Sequence, residues 1–249
     1  MQKPFYWAIL FKTNIGHAGE FLDEILKARQ ANAPPPVIMS DALKSNLPSV
    51  IKEYNRSLCN AHARREFFDL HEQFPDKVEW VVETYGKIWE NEKHARGLHS
   101  DERLAYHKEH SLSVLEEIKT WGENLLTNKE VEENSALGKA IKYFLKHFYG
   151  LSMFCHIEET KLDNNEMERT LKLIIRTRKN SLFFKTQAGA DIADVLSSVI
   201  ATCDRERINS FEYLVHLQKH SNKVRINPEE WLPWNYQRAL KALEKQNVA

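Results

Sequence analysis

The stretch Leu162-Asp163-Asn164-Asn165-Glu166-Met167-Glu168-Arg169 reads as the entry of a helix that carries a carboxylate beside a row of cations. Asp163 is a good N-cap, and Glu166, three residues later, completes a capping-box-like pattern that satisfies backbone N–H groups left free in the first turn. Met167, Leu171, Ile174 and Ile175 recur at helical spacing and form an apolar face. Arg169, Lys172 and Arg176 line another face, with Glu168 between the two. At about 1.5 Å of rise per residue these cations span roughly 10 Å, comparable with one or two phosphate steps of a nucleic-acid strand. An amphipathic surface helix with solvated ion pairs accounts for the same residues.

The chain around this stretch has 249 residues, enough for one large domain or two modest ones. Its 35 Lys and Arg balance 35 Asp and Glu, so no global field draws it to DNA or to an anionic membrane. Any nucleic-acid contact has to come from local basic patches. Cys59, Cys155 and Cys203 are an odd, scattered set, which points to a reducing compartment and a cytoplasmic protein. The apolar run Phe5 to Phe11 is too short to span a membrane and is not followed by a small-residue cleavage site.

That run, Phe5-Tyr6-Trp7-Ala8-Ile9-Leu10-Phe11, reads as a strand buried on both faces, with a turn at Asn14 to Gly16. A helix is predicted from about Ala18 to Ala31, stopped by Pro34-Pro35-Pro36 ahead of a second strand, Val37 to Ser40. Asp41 then stands at the carboxyl end of a short buried strand, where open α/β sheets hold ligands. It can equally be the N-cap of a helix over Ala42 to Leu47. Next, a short strand from Tyr54 runs into a helix at about Asn60. Cys59 and His62 on it have a zinc-compatible spacing. A structural zinc site needs four ligands, and the side chains of Cys155 and His156 would diverge, so a buried thiol and a hydrogen-bonded imidazole are expected instead. Arg64 and Arg65 are either phosphate contacts or ordinary surface cations.

From about Lys77 to Glu159 the periodicity is helical and highly charged. Stripes run through Val78, Val81, Val82, Tyr85, Ile88 and Trp89, through Leu112, Leu115, Ile118 and Trp121, and through Leu137, Ile141, Phe144, Leu145 and Phe148. His94, His99, His107 and His110 lack metal spacing and are expected at the surface. Asp23 and Glu24 are expected to face solvent on their helix. Ile192, Val195, Leu196, Val199 and Ile200 mark a later helix, and another is expected around Ser210 to His220. The Trp231-Leu232-Pro233-Trp234-Asn235-Tyr236 cluster is expected to be packed.

Read together, these segments resemble the catalytic region of insertion-sequence-66-type transposases. The matching motifs, in order, are HAGEFLDE (17–24), PPPVIMSDALKSNLP (34–48), CNAHARREF (59–67), RGLHSDERLAYHKEHS (96–111), LGKAIKYFL (137–145), LDNNEMERTLK (162–172), RKNSLFFKT (178–186) and WLPWNY (231–236). The resemblance implies DNA cleavage and strand transfer by a DDE triad of carboxylates holding two Mg²⁺ (or Mn²⁺) ions, which are hard cations that take oxygen ligands. Under it Asp41 is the second carboxylate and Glu168 the third, both catalytic and metal-holding. Cys59 and His62 are supporting residues, and Arg64, Arg65, Arg169, Lys172, Arg176, Arg178 and Lys179 are candidate DNA contacts.

The fold class expected is α/β and mostly helical, a truncated ribonuclease-H-like core with an all-helical insertion and a helical C-terminal tail. The corresponding division is residues 1–76, first part of the core; 77–160, the insertion; 161–200, second part of the core with the Glu168 helix; and 201–249, the tail. The departure from the family is at the start, where no Asp or Glu precedes Glu20 to serve as first catalytic aspartate. Near the tail, Arg205-Glu206-Arg207 replaces the family's usual Asn-Gly turn. The resemblance therefore implies a partial transposase with impaired catalysis, a bacterial cytoplasmic, nucleoid-associated protein. Its partners would be transposon-end DNA, a chain supplying the missing N-terminal portion and further copies in an oligomer, with no membrane. The competing reading is a non-catalytic helical module that binds DNA or protein.

Overall fold

The computed structural model describes residues 6–13, 16–30, 32–181 and 184–247. They divide into two units, residues 16–169 and residues 1–15 with 170–249. The chain is mostly helical, with a small parallel sheet among the described residues.

In the first unit, α1 (Ala18–Lys27) precedes β1 (Val37–Ser40), a 3-10 turn (Lys44–Asn46), β2 (Asn55–Leu58) and α2 (Asn60–Phe68). The two strands pair in parallel with Val37 opposite Asn55 and Ser40 opposite Leu58. The helix expected over Ala42 to Leu47 is only that 3-10 turn, because Pro48 follows too soon for a longer one. Gly19 lets α1 approach this turn closely; a Cβ there would collide with the carbonyl of Leu47.

Asp23 is buried, which corrects the expectation that it faces solvent. Its carboxylate accepts from the backbone N–H groups of Ser49, Val50 and Ile51 and from the Ser49 hydroxyl, at 2.9 to 3.2 Å. The loop after Pro48 has no ladder partners, so a carboxylate from α1 satisfies its donors.

Helices α3 (Pro75–Ala95), α4 (Ser100–His110), α5 (Leu112–Thr127) and α6 (Ala136–Leu151) follow, then a 3-10 turn (Met153–Cys155). Pro75 opens α3, and Ser135 caps α6 by accepting from the Gly138 N–H at 3.0 Å. The three helical stripes meet in one core, where Val78, Val81, Tyr85, Ile88, Leu115, Ile118, Leu137, Ile141 and Phe144 pack with Leu58, Ala63 and Phe67 of β2 and α2. His107 is buried in this block, not at the surface. Its Nδ1 is 2.9 Å from the Ser111 hydroxyl and its Nε2 2.8 Å from Glu92, which also pairs with Arg103 at 2.8 Å. Partners on neighbouring turns and helices make the burial of the imidazole tolerable.

α7 (Asn165–Ser181) begins in this unit. The second unit contains α8 (Gln187–Arg205), α9 (Ser210–Lys219), α10 (Ser221–Ile226), a 3-10 turn (Pro228–Trp231) and α11 (Tyr236–Asn247). Cys203, Tyr213, Trp231 and Tyr236 form its core, so the tail aromatics are packed as expected, and the Tyr213 hydroxyl donates to the Trp231 carbonyl at 2.7 Å.

The strand expected over Phe5 to Phe11 is not formed in its described part. Residues 6–13 are extended but join no sheet. The N–H groups of Trp7, Ile9, Phe11 and Thr13 donate instead to side chains of Glu206, Thr202, Ser198 and Asp194. Alternate N–H groups of an extended chain recur every 6.6 Å or so, and every fourth residue of a helix every 6 Å or so, which makes one row fit the other. The turn expected at Asn14 to Gly16 falls largely outside the described residues.

α8 ends in a Schellman motif: Ile208 N–H donates to Cys203 O at 2.8 Å and Arg207 N–H to Asp204 O at 3.1 Å. Arg207 occupies the left-handed position at φ 56°. A residue with a Cβ therefore holds a conformation that glycine adopts at lower cost. Arg207→Gly is expected to stabilise the protein by about 1 kcal/mol, seen as a higher midpoint in urea with an unchanged slope.

Hydrogen bonds from the Ile51, Ser49 and Val50 N–H groups and the Ser49 hydroxyl outweigh burial and hold the Asp23 carboxyl at about 2, below the usual carboxylate range. A depressed folded value stabilises the protein above the unfolded value and is lost as pH falls from about 4 towards 2. Asp23→Asn should lower stability near neutrality and flatten the acid limb of a circular-dichroism stability profile over that window.

Candidate functional site

The site is built on the carboxyl ends of β1 and β2. Because Ser40 pairs with Leu58, the residues that follow, Asp41 and Cys59, leave the sheet side by side, and Cys59 N–H donates to Ser40 O at 3.2 Å. Asp41 Oδ1 accepts from the Leu43 N–H at 3.3 Å and from the Asn46 amide at 2.6 Å. Asp41 thus follows the last residue of β1 and braces the turn after it, but it caps no helix, since the residue preceding the 3-10 turn is Leu43. Oδ2 carries no hydrogen bond among the described residues.

Cys59 precedes α2 with a buried thiol. Burial pushes that thiol up, against the opposing effect of the backbone N–H groups of Asn164, His62 and Ala61. His62 sits on the first turn of α2, half-buried, with its Nδ1 shielded from solvent and without a partner among the described residues.

Asn60, which the sequence marks only as a helix start, holds the remote part of the site in place. It is fully buried. Its amide donates to Leu151 O at 2.9 Å and Leu162 O at 3.1 Å, its backbone N–H donates to Leu162 O at 3.2 Å, and its carbonyl oxygen accepts from the Tyr85 hydroxyl at 3.1 Å. The chain entering α7 is thereby tied to α2. Asp163 continues the tie, with Oδ2 accepting from the Trp89 indole at 3.2 Å and Oδ1 from the Asn165 N–H at 3.1 Å. The helix starts at Asn165, so Asp163 sits one residue outside the N-cap position that the sequence suggested.

Entering in this way, α7 sets Glu168 against α2, its Oε1 lying 3.6 Å from His62 Nε2. One ligand atom each from Cys59, His62 and Glu168 lie within 4.8 Å of one another. The arrangement offers a sulfur, an imidazole nitrogen and a carboxylate oxygen at one point, next to the end of β1.

Of the candidate DNA contacts, Arg65, Arg169, Lys172, Arg176 and Lys179 are exposed, and none forms an ion pair among the described residues. Arg64 is engaged within the fold, its Nε donating to Val82 O at 3.4 Å and its guanidinium 6.0 Å from the centre of the Trp89 ring. The side chain of Arg178 lies outside the described residues. Met167, Leu171 and Ile175, the apolar face of α7, are 48%, 42% and 48% exposed. Among the described residues no helix is long and apolar enough to cross a membrane.

A family model described as "Transposase IS66 family" matches residues 3–192. That match defines the chain as a transposase-type protein. Within that class, the chain belongs to the IS66 family. Similar proteins from Sinorhizobium fredii include the uncharacterized protein y4jD, 32% identical over 72% of this chain and 36% of its own length. The uncharacterized protein y4hP is 31% identical over 74% of this chain and 35% of its own length. The chain thus spans about a third of the length of these curated relatives. No solved structure matches it.

Replacing Asn60 by Ala leaves the Leu151 carbonyl and the buried Tyr85 hydroxyl without these partners, each loss worth about 1 to 3 kcal/mol, while Leu162 O keeps the backbone N–H of residue 60. Asn60→Ala is expected to cost at least about 2 kcal/mol, and Tyr85→Phe about 1 kcal/mol. A double-mutant cycle by chemical denaturation should show the pair to be coupled, whereas additive losses would separate them.

Proposed function

We propose that this chain supplies the second and third carboxylates, Asp41 and Glu168, of a ribonuclease-H-like DDE transposase site, and that it takes part in metal-dependent cleavage and strand transfer of DNA. What supports this reading is that both residues stand next to Cys59, Asp41 through the pairing of the strands and Glu168 through its side chain. Asp41 leaves the sheet beside Cys59, and Glu168, from more than a hundred residues downstream, lies against Cys59 and His62.

The oxygen donors suit a hard divalent cation. Asp41 would hold Mg²⁺ through Oδ2, its orientation fixed by Leu43 and Asn46 at Oδ1, and Glu168 would do so from the first turn of α7. When bound, two such ions activate a water or a 3′ hydroxyl on one side of the phosphodiester and stabilise the leaving oxygen on the other. His62 would steer the Glu168 carboxylate. The exposed cations Arg169, Lys172, Arg176 and Lys179 recur at spacings of three and four along α7, and with Arg65 would bind the DNA backbone without reading sequence. Affinity should be weak and salt-dependent, because the basic surface is local on a chain of zero formal charge.

Residues 1–19 contain no carboxylate side chain, and Asp23 is committed to the loop at Ser49 to Ile51. The 249-residue chain assayed alone should therefore cleave transposon-end DNA poorly with Mg²⁺ or Mn²⁺, at least about 10² to 10³ below the same chain complemented with a first-strand segment bearing the missing aspartate. Robust cleavage by the chain alone that disappears in Glu168→Ala would overturn the impaired-catalysis part. A Mg²⁺ titration indifferent to Glu168, together with DNA binding, would instead favour a non-catalytic DNA-binding module. In the binding assay, Arg169→Ala with Lys179→Ala should reduce the salt slope by about 1 to 2, and an unchanged slope would remove both residues from the interface.

A further inference from the structure

We propose that Cys59, His62 and Glu168 bind a thiophilic divalent cation, zinc being the expected occupant, and that this ion withdraws Glu168 from the hard-cation site. The withdrawal rests on the reading of Glu168 given above; the binding itself stands on the three side chains alone.

The sequence offers Cys59 and His62 with zinc-compatible spacing but no further ligand nearby. The fold supplies one from a distant helix. With bonds of about 2.0 to 2.3 Å, a tetrahedral zinc ion holds its ligand atoms roughly 3.5 Å apart. The three atoms lie within 4.8 Å, so rotamer adjustments of about 1 Å bring them to an ion.

The donor set selects the metal. A thiolate and an imidazole favour zinc and its neighbours in the transition series, whereas Mg²⁺ demands oxygen and near-octahedral geometry. Three protein ligands with Glu168 partly exposed leave a fourth position for water, the pattern of an open zinc site rather than a closed structural one. Coordination converts the Cys59 thiol to a thiolate, and its proton passes to the solvent. Cys155 and Cys203, both buried, belong to no such group among the described residues.

The test is a titration of the full 249-residue chain with Co²⁺ as a coloured probe, followed by Zn²⁺ calorimetry in excess Mg²⁺. The expected result is one Co²⁺ per chain with a sulfur-to-cobalt charge-transfer band that is absent in Cys59→Ser. Affinity should fall at least about tenfold in His62→Asn and in Glu168→Gln. Asp41→Asn should keep the cobalt spectrum while losing any Mg²⁺ response, so failure of the Mg²⁺ reading is distinguishable from failure of this one. No charge-transfer band in the unaltered chain, a band retained by Cys59→Ser, or a Zn²⁺ affinity indifferent to His62 and Glu168 would each overturn the proposal. The spectrum of the unaltered chain decides the matter even if Cys59→Ser does not fold.

Discussion

The buried amide of Asn60 is the constraint from which the geometry of the first unit follows. A fully buried carboxamide has to satisfy two donors and an acceptor inside the protein. Asn60 does so with the end of α6, the approach to α7 and the hydroxyl of α3's Tyr85. Asn60 precedes the helical block from 75 to 155, Leu151 lies near its end and Leu162 just beyond it. The amide therefore closes a loop of about ninety residues, as Asn60 and Leu151 are 91 apart in sequence, and brings the entry of α7 back to the start of α2. His62 and Glu168 meet because their backbones have been fastened two and six residues away, at Asn60 and Leu162.

The helical block makes this closure possible by sharing its core with β2 and α2. Tyr85 has its ring packed edge-on against Phe144, and Phe67 meets both Phe144 and Trp121 edge-on. Edge-to-face packing fixes ring orientation beyond what area burial does, which is what a hydroxyl aimed at a single buried amide oxygen requires. The network of Glu92, Arg103 and His107 joins α3 to α4 in a similar way: one carboxylate takes two cationic or protonatable partners away from bulk water. Burial is the largest single influence and pushes the Glu92 carboxyl up, but the hydrogen bond from His107 and the charge and hydrogen bond of Arg103 together outweigh it and hold the carboxyl below its usual range.

In the second unit the same accounting of backbone donors gives an unusual solution. An extended segment without a sheet needs acceptors at a two-residue repeat, and a helix presenting Asp, Ser, Thr and Glu at every fourth position supplies them. The helix that serves in this way turns its other side, with Ile192, Val195 and Leu196, outward.

By itself the sequence determined the elements that depend on local pattern. The helical stripes through Val78, Val81, Tyr85 and Ile88 and through Leu137, Ile141 and Phe144 face the core, and Val37–Ser40 and the segment before Asn60 are strands. The motif order also carried the family, since eight short runs in sequence are a property of the chain and not of its packing. Tertiary structure decided everything that rests on partners far away in the chain. Near-continuous apolarity in residues 5 to 11 suggests an extended backbone but not what its N–H groups will meet, so the segment could follow a helix as readily as join a sheet. Asp23 and His107 look like surface residues because the groups that satisfy them lie outside their own helical turn. Cys59 and His62 look short of ligands because the third side chain comes from residue 168. A one-dimensional pattern records which face of an element is apolar; only the closed fold records which buried polar groups find one another, and that pairing is what puts a thiol, an imidazole and a carboxylate at one end of two strands.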